Sequence, residues 1–207
     1  MYGEGAHMDR VCLETDRLTL RHFEERDLDA LHLLLKDEEV NAFLPWFPAE
    51  TPDETKRFFE NRLKDRPYAF AICLKGNDSP VGYIDVETDG SHELGYALRR
   101  EFWHRGIVTE AGRAIVERLK EDGVPYIIAT HDINNPRSGG VMRNIGMKYC
   151  YSYKEQWQPK NFPVVFRMYQ LNLDGQEDRV DKKLWDKYQE HFVEEGLQAS
   201  SSRKGQL

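Results

Sequence analysis

Apolar positions along the 207-residue chain change period repeatedly, and each change marks an element. Residues 17–23 alternate apolar and polar side chains and read as a half-buried strand. A helix follows from about Asp27, with Leu28, Leu31, Leu34 and Leu35 at helical spacing. The prolines of Leu44-Pro45-Trp46-Phe47-Pro48 stop it. Thr51 then caps a second helix that runs to Leu63, with Pro52 in its first turn and Glu54 completing a capping box. Three strand-like runs come next, at 68–74, 80–88 and 93–98, and read as an antiparallel meander. They are separated by the turn cluster at 75–79 and by a two-residue hairpin signal, Asp89-Gly90. The period returns to helical over 107–120, where Ile107, Ala111, Ala114, Ile115, Arg118 and Leu119 make one stripe and Gly123 closes it. A buried strand at 126–130, a helix at 136–144 and two strands at 149–157 and 164–173 complete the pattern. A last amphipathic helix is predicted over 177–195, striped by Val180, Leu184, Trp185, Tyr188 and Phe192.

This order predicts an α+β fold of the α/β/α sandwich type, one mixed sheet with helices on both faces. The hydrophobic share of 40% and charged share of 31% suit a chain with one good core and a well-solvated surface. The main domain is placed at 15–173, after an extension at 1–14 whose first eight residues are set aside as a candidate tag remnant. The tail helix, in the segment 174–198, packs on the domain or on a partner, and a disordered end covers 199–207. A net charge of −7, without a basic stripe, disfavours nucleic acid and favours cationic partners such as amines. Cys12, Cys73 and Cys150 show no metal-ligand or disulfide spacing, so buried or semi-buried thiols in a reducing compartment and no metal are expected. No run approaches the ~20 apolar residues of a membrane span. Nor does the N-terminus read as a signal peptide, which makes the cytoplasm the expected location.

The chemistry concentrates where the strand 93–98 passes through Phe102-Trp103-His104-Arg105-Gly106 into the helix at Ile107. The first amides of a helix lack internal partners and sit at its positive dipole end, so an anion such as a pyrophosphate fits there. No GxxxxGK[ST] run exists, and no GxGxxG run follows a strand, which excludes the two commonest nucleotide loops.

This stretch resembles the acetyl-CoA-binding motif of the GNAT superfamily of N-acetyltransferases, Gln/Arg-x-x-Gly-x-Gly/Ala. It is more closely similar to the Trp-Gly-Lys-Gly-Tyr-Ala-Thr-Glu-Ala form of the ribosomal-protein N-terminal acetyltransferase branch, matched at Trp103, Gly106, Thr109, Glu110 and Ala111. Asn135-Pro136-Arg137-Ser138 with Val141 and Gly146 resembles a second block of that branch, and the stretch from Glu14 to Arg21 resembles its first strand. The resemblance implies a GNAT fold with a mixed, mostly antiparallel seven-stranded sheet, acetyl-CoA as cosubstrate, and acetyl transfer to a primary amine. It implies a cofactor site made by Trp103, His104, Arg105, Gly106, Ile107, Val108, Thr109, Asn135 and Ser138. Val108 and His104 depart from the small residues of the motif. Met142 stands where many members carry a proton-donating tyrosine, and the resemblance then passes the protonation of the leaving thiolate to Ser138 or to solvent.

Direct attack by a neutral amine needs a base, an oxyanion donor and support for the departing thiolate. The resemblance places the oxyanion donor at about 130–133. Three residues are candidates for the base: Glu93 is the first choice and His131 the second, and Asp132 is the neighbour of His131 on the opposite face of the strand. Trp46 and Phe47, with Trp157 and Arg167 on the last hairpin, are the candidate acceptor contacts. Competing readings are a non-catalytic acyl-CoA-binding module and, more remotely, a thiol hydrolase using Cys150. Whether the acceptor is a peptide N-terminus or a small amine, and whether the chain is a monomer or a homodimer, stay open.

Overall fold

The computed structural model of the protein describes residues 11–197. The candidate tag remnant at 1–8 and the expected disordered end at 199–207 lie outside the described residues. Two antiparallel sheets carry the fold. The first is ordered β1 (Leu13–Glu14), β2 (Leu18–Arg21), β3 (Ala69–Leu74), β4 (Asn77–Val86) and β5 (Leu94–Leu98). The second is ordered β6 (Tyr126–Asp132), β8 (Phe162–Asn172), β7 (Lys148–Trp157) and β9 (His191–Phe192). Between them stands one parallel bridge, Glu93 to Ile128, with the Ile128 amide donating to the His92 carbonyl at 3.1 Å. Seven strands have four or more residues, as expected; β1 and β9 add two-residue pairs at opposite edges. The single sheet of the sequence reading is therefore two sheets, hinged where β5 and β6 part.

Helices lie on both faces because each strand alternates its side chains. Leu18, Leu20, Phe70, Ile72 and Ile84 face α4 (Ile107–Glu121) and bury its stripe of Ile107, Ala111, Ile115 and Leu119. On the opposite face Ala69, Ala71 and Tyr83 meet Leu31, Leu34 and Leu35 of α1 (Leu28–Leu35), which the short α2 (Glu38–Asn41) follows, and Phe59 beyond α3 (Pro52–Phe58). α3 continues as π-type turns over Phe59–Leu63. Thr51 caps α3 by accepting the Glu54 amide at 3.3 Å, while Glu54 accepts the Glu50 amide at 2.7 Å instead of the amide of Thr51 itself. α5 (Pro136–Asn144) crosses α4 closely: a Cβ at Gly112 would stand 2.8 Å from Ile145 Cγ2.

Three local expectations change. β4 starts at Asn77, because Lys75 and Gly76 alone make the turn and Gly76 takes φ +83°. Asp89-Gly90 is not a two-residue hairpin. The connection spans 87–93, with the Asp89 carboxylate accepting the Ser91 amide at 2.9 Å and hydroxyl at 2.6 Å. The long tail helix is replaced by α6 (Lys183–Lys187) and β9. β7 offers an open edge, and β9 pairs there through Ser152–Phe192 and Tyr153–His191, which satisfies backbone groups that a helix would have bonded internally. Leu184, Trp185 and Tyr188 still pack on the second sheet, so the apolar periodicity was informative although the backbone form was not. Of the thiols, Cys73 is buried and Cys150 half-buried, but Cys12 is exposed.

Candidate active site

A cleft of about 1250 Å³ opens where the two sheets part. Phe102 to Thr109, Asn135 and Ser138 line one part of it; Trp46, Tyr83, Asp85, Tyr153 and Trp157 line another, with Glu93 and Thr130 also on its walls.

The first part is built on the start of α4. His104 at φ +61° and Gly106 at φ +70° turn the chain so that Gly106 caps the helix. The first bond into the helix is Glu110 N–H to Gly106 O at 3.0 Å, which leaves the amides of Ile107, Val108 and Thr109 without helical partners. A Cβ on Gly106 would meet only Arg17 Nη2, at 3.7 Å, so the ground above the helix end is open. The Val108 side chain lies in the core, only 9% exposed, and does not crowd this opening despite departing from the motif. Trp103 is fixed by Nε1–H donating to Leu98 O at 2.7 Å, and Arg137 stands over its ring at 5.5 Å. Arg105 stands over Phe102 at 5.5 Å, adding a second exposed cation beside the helix end. Glu110 ties the whole turn to β2: it accepts from Thr15 Oγ1 at 2.6 Å, from the Arg17 amide at 3.0 Å and from Arg17 Nε at 2.6 Å, while Arg17 Nη1 donates to Arg105 O at 2.9 Å. These residues and the helix end fit a pyrophosphate: open amides, a positive dipole end and nearby guanidinium groups.

Ser138 is held by Tyr96. Their hydroxyls are 2.8 Å apart, and Tyr96 Oη is 3.0 Å from the Ser138 carbonyl. Burial pushes the Tyr96 phenol well above its ordinary range. Asn135 caps α5, accepting the Ser138 amide at 3.4 Å.

Glu93 ends up where the strands diverge. Its carboxylate accepts Thr130 Oγ1–H at 3.3 Å, and burial raises its pKa above the ordinary glutamate value, with Glu87 adding to the effect. Amides alternate sides along a strand. Ile128 N–H points to the β5 side and Ile133 N–H is spent on Val165 O at 3.0 Å, so the Thr130 amide faces the gap without a backbone partner. Within the expected range of 130–133, the amides of Thr130 and Asp132 thus face the gap side, and that of Ile133 does not.

His131 is placed differently from Glu93. Alternation turns its ring to the opposite face of β6, where Nε2 has no partner and a Cβ on Gly139 of α5 would lie 2.5 Å from it. Its Nδ1 donates to Asp132 O at 2.8 Å, and burial lowers its pKa. The Asp132 carboxylate is occupied by the amide and side chain of Asn134. Among the acceptor contacts, Trp46 and Trp157 line the cleft. Phe47 is 61% exposed and outside it, and Arg167 pairs with Glu194 at 2.6 Å.

Asp85 is the residue that sequence reasoning missed. On β4 it shares the face of Tyr83 and is only 5% exposed. It lies over Gly95, whose added Cβ would meet Asp85 Oδ1 at 2.7 Å, and it accepts no hydrogen bond from any described residue. Burial pushes its pKa up to about 6; Glu87 and Glu93 add to the rise, and Arg62 and Arg66 oppose it. The signal was present in Val81-Gly82-Tyr83-Ile84-Asp85-Val86, a lone acid inside an apolar run. Asn41 was missed as well. Its Nδ2 donates to the carbonyls of Leu34, Leu35 and Asp37, and its Oδ1 accepts from Trp46 Nε1 at 3.0 Å. Lys160 of the β7–β8 hairpin bolts onto the Asn41 and Ala42 carbonyls at 2.5 and 2.9 Å.

A family model described as an acetyltransferase (GNAT) domain matches residues 17–148. An uncharacterized N-acetyltransferase of Bacillus subtilis, YnaD, is 29% identical over 163 residues, which is 74% of this chain and 95% of that protein. The solved GNAT-family acetyltransferase from Bacillus anthracis has a TM-score of 0.71 and 25% identity, covering 79% of this chain and 99% of its own. The ribosomal L7/L12 α-N-protein acetyltransferase RimL, solved with coenzyme A, has a TM-score of 0.70 at 21% identity, covering 79% of this chain and 99% of its own, a likeness of fold.

Proposed function

Because the chain belongs to the acetyltransferase (GNAT) domain family and is an N-acetyltransferase, we propose that it moves the acetyl group of acetyl-CoA onto a primary amine, with an active-site carboxylate as general base. Acetyl-CoA supplies an acetyl group activated as a thioester. The observation that carries the reading is that one cleft joins an open helix end, fit for a pyrophosphate, to an unpartnered buried carboxylate. The amides of Ile107, Val108 and Thr109 hold the pyrophosphate, with Arg105 as a charged neighbour. Asp85 or Glu93 takes a proton from the acceptor ammonium; both have pKa values raised toward a useful base. Thr130 N–H faces the gap where negative charge develops on the carbonyl oxygen. Ser138 Oγ, held by Tyr96, donates a proton to the departing sulfur, and the second proton that the acceptor nitrogen loses on forming the amide returns to Ser138 through solvent. Met142, only 1% exposed, fills core space in place of a donor.

The test is thiol release from acetyl-CoA over a panel of primary amines. Release should require an amine, and Asp85→Asn together with Glu93→Gln should lower kcat by about 10²-fold or more while acetyl-CoA affinity is kept. Tight acetyl-CoA binding with no release for any amine would instead establish a non-catalytic acyl-CoA-binding module.

A further inference from the structure

The acceptor part of the cleft has a chemical bias of its own. Asp85, Glu87, Asp89, Glu93 and Glu155 line it, against only Arg62 and Lys187 as cations. Both cations have other partners. Arg62 reaches Glu87 at 3.4 Å and stands 5.0 Å over the Trp46 ring, and Lys187 stands 4.8 Å over the Tyr188 ring. Glu87 is also paired with Arg66 at 2.5 Å, so the carboxylates left for a ligand are chiefly Asp85 and Glu93. Asp85 is more than nine-tenths buried, lines the cleft and accepts no hydrogen bond from any described residue, an arrangement that a bound cation would complete. Around these acids the wall is aromatic: Trp46, Tyr83, Tyr153, Trp157 and Tyr188. Aromatic faces attract an ammonium and bury an apolar body, but offer little to a carboxylate. The Lys160 bolt joins the β7–β8 hairpin to the carbonyls of Asn41 and Ala42, closing the wall between Phe43 and Trp157.

We propose that the acceptor is a compact alkyl or arylalkyl ammonium with no anionic group near its nitrogen, the ammonium seated on Asp85 and Glu93 and the apolar body on the surrounding rings. The inference rests on the acetyl-transfer reading and narrows it. An α-carboxylate on the acceptor meets an acidic wall whose two cations are already engaged, so free amino acids are rejected by like charge.

Matched probes test this directly: phenethylamine, phenylalanine and Phe-Gly-Gly amide. Each is titrated into the protein saturated with desulfo-CoA, and each is assayed for thiol release with acetyl-CoA. Phenethylamine should bind at least tenfold more tightly than phenylalanine, and more tightly than the peptide amide. Asp85→Asn and, independently, Glu155→Gln should shrink the amine-to-amino-acid ratio without altering acetyl-CoA affinity. Equal or stronger binding of phenylalanine would overturn the proposal and point to Arg62 or Lys187 as a carboxylate reader. Stronger binding of the peptide amide would overturn the compact body, and binding of none of the three would overturn the site. If acetyl-CoA itself does not bind, the acetyl-transfer reading fails first, and that outcome is distinct from all of these.

Discussion

Replacing Asp85 by Asn should trade activity for stability in a pH-dependent way. An ordinary aspartate titrates near 3.8, and burial in the cleft wall pushes Asp85 up to about 6. Between those values the folded protein holds a proton that the unfolded chain has released, so stability falls as pH rises through the window. At about 1.4 kcal/mol per pH unit, the full penalty above the folded pKa is about 3 kcal/mol. Roughly half of it is already present at about pH 5. Asn keeps the shape of the side chain and cannot ionise, although burying its amide has a cost of its own, about 1–3 kcal/mol. The difference between variant and wild type cancels the titrating groups that do not interact with Asp85, leaving Asp85 and its coupling to Glu87 and Glu93. In urea denaturation that difference should move by about 1–2 kcal/mol in favour of Asn between about pH 5 and about pH 8. With Asp85 as the base, acetyl transfer should move the other way: in the wild type it rises through about pH 6 as Asp85 ionises, and in the variant that rise is lost; a rise that persists in the variant assigns the proton transfer to Glu93. A stability difference that does not change with pH would refute the buried, unpaired carboxylate.

Three other substitutions probe the scaffold and the proton path. Asn41→Ala removes the donor to three carbonyls and the acceptor for Trp46, and should destabilise by about 2–4 kcal/mol in thermal or chemical denaturation; a loss below ~0.5 kcal/mol would contradict its role as a hub. Tyr96→Phe removes the hydroxyl beside Ser138 and should lower kcat by roughly tenfold with little change in the amine KM. Ser138→Ala on top of it should add little, since residues in one hydrogen-bond network are not additive; fully additive losses would show that the two act separately.

Much of the frame was legible because its residues contact one another. The separate blocks around Thr15-Asp16-Arg17 and Thr109-Glu110-Ala111 meet in the four hydrogen bonds that join Thr15, Arg17, Glu110 and Arg105. Two distant sequence signals are thus one piece of structure at the helix end. Alternation found the strands but not which face would be the cleft: Thr130 and His131 are neighbours, and only Thr130 reaches Glu93. Asp85 escaped notice because a polar residue in a strand ordinarily faces solvent, and its burial depends on β5, whose Gly95 lies against it. The tail showed the opposite failure. Leu184, Trp185 and Tyr188 have helical spacing, but the open edge of β7 decides the backbone beyond residue 190, and the Glu194–Arg167 pair anchors it.

The most direct measurement is a calorimetric titration of acetyl-CoA and desulfo-CoA into the wild type and Gly106→Glu. Gly106 sits at φ +70° above the open amides of α4, and glutamate there places a bulky anion where the pyrophosphate belongs. The account predicts micromolar binding of both ligands by the wild type and its loss in the variant, with the variant still folded by circular dichroism. Absence of binding by the wild type, or unchanged binding by a folded Gly106→Glu, would contradict it.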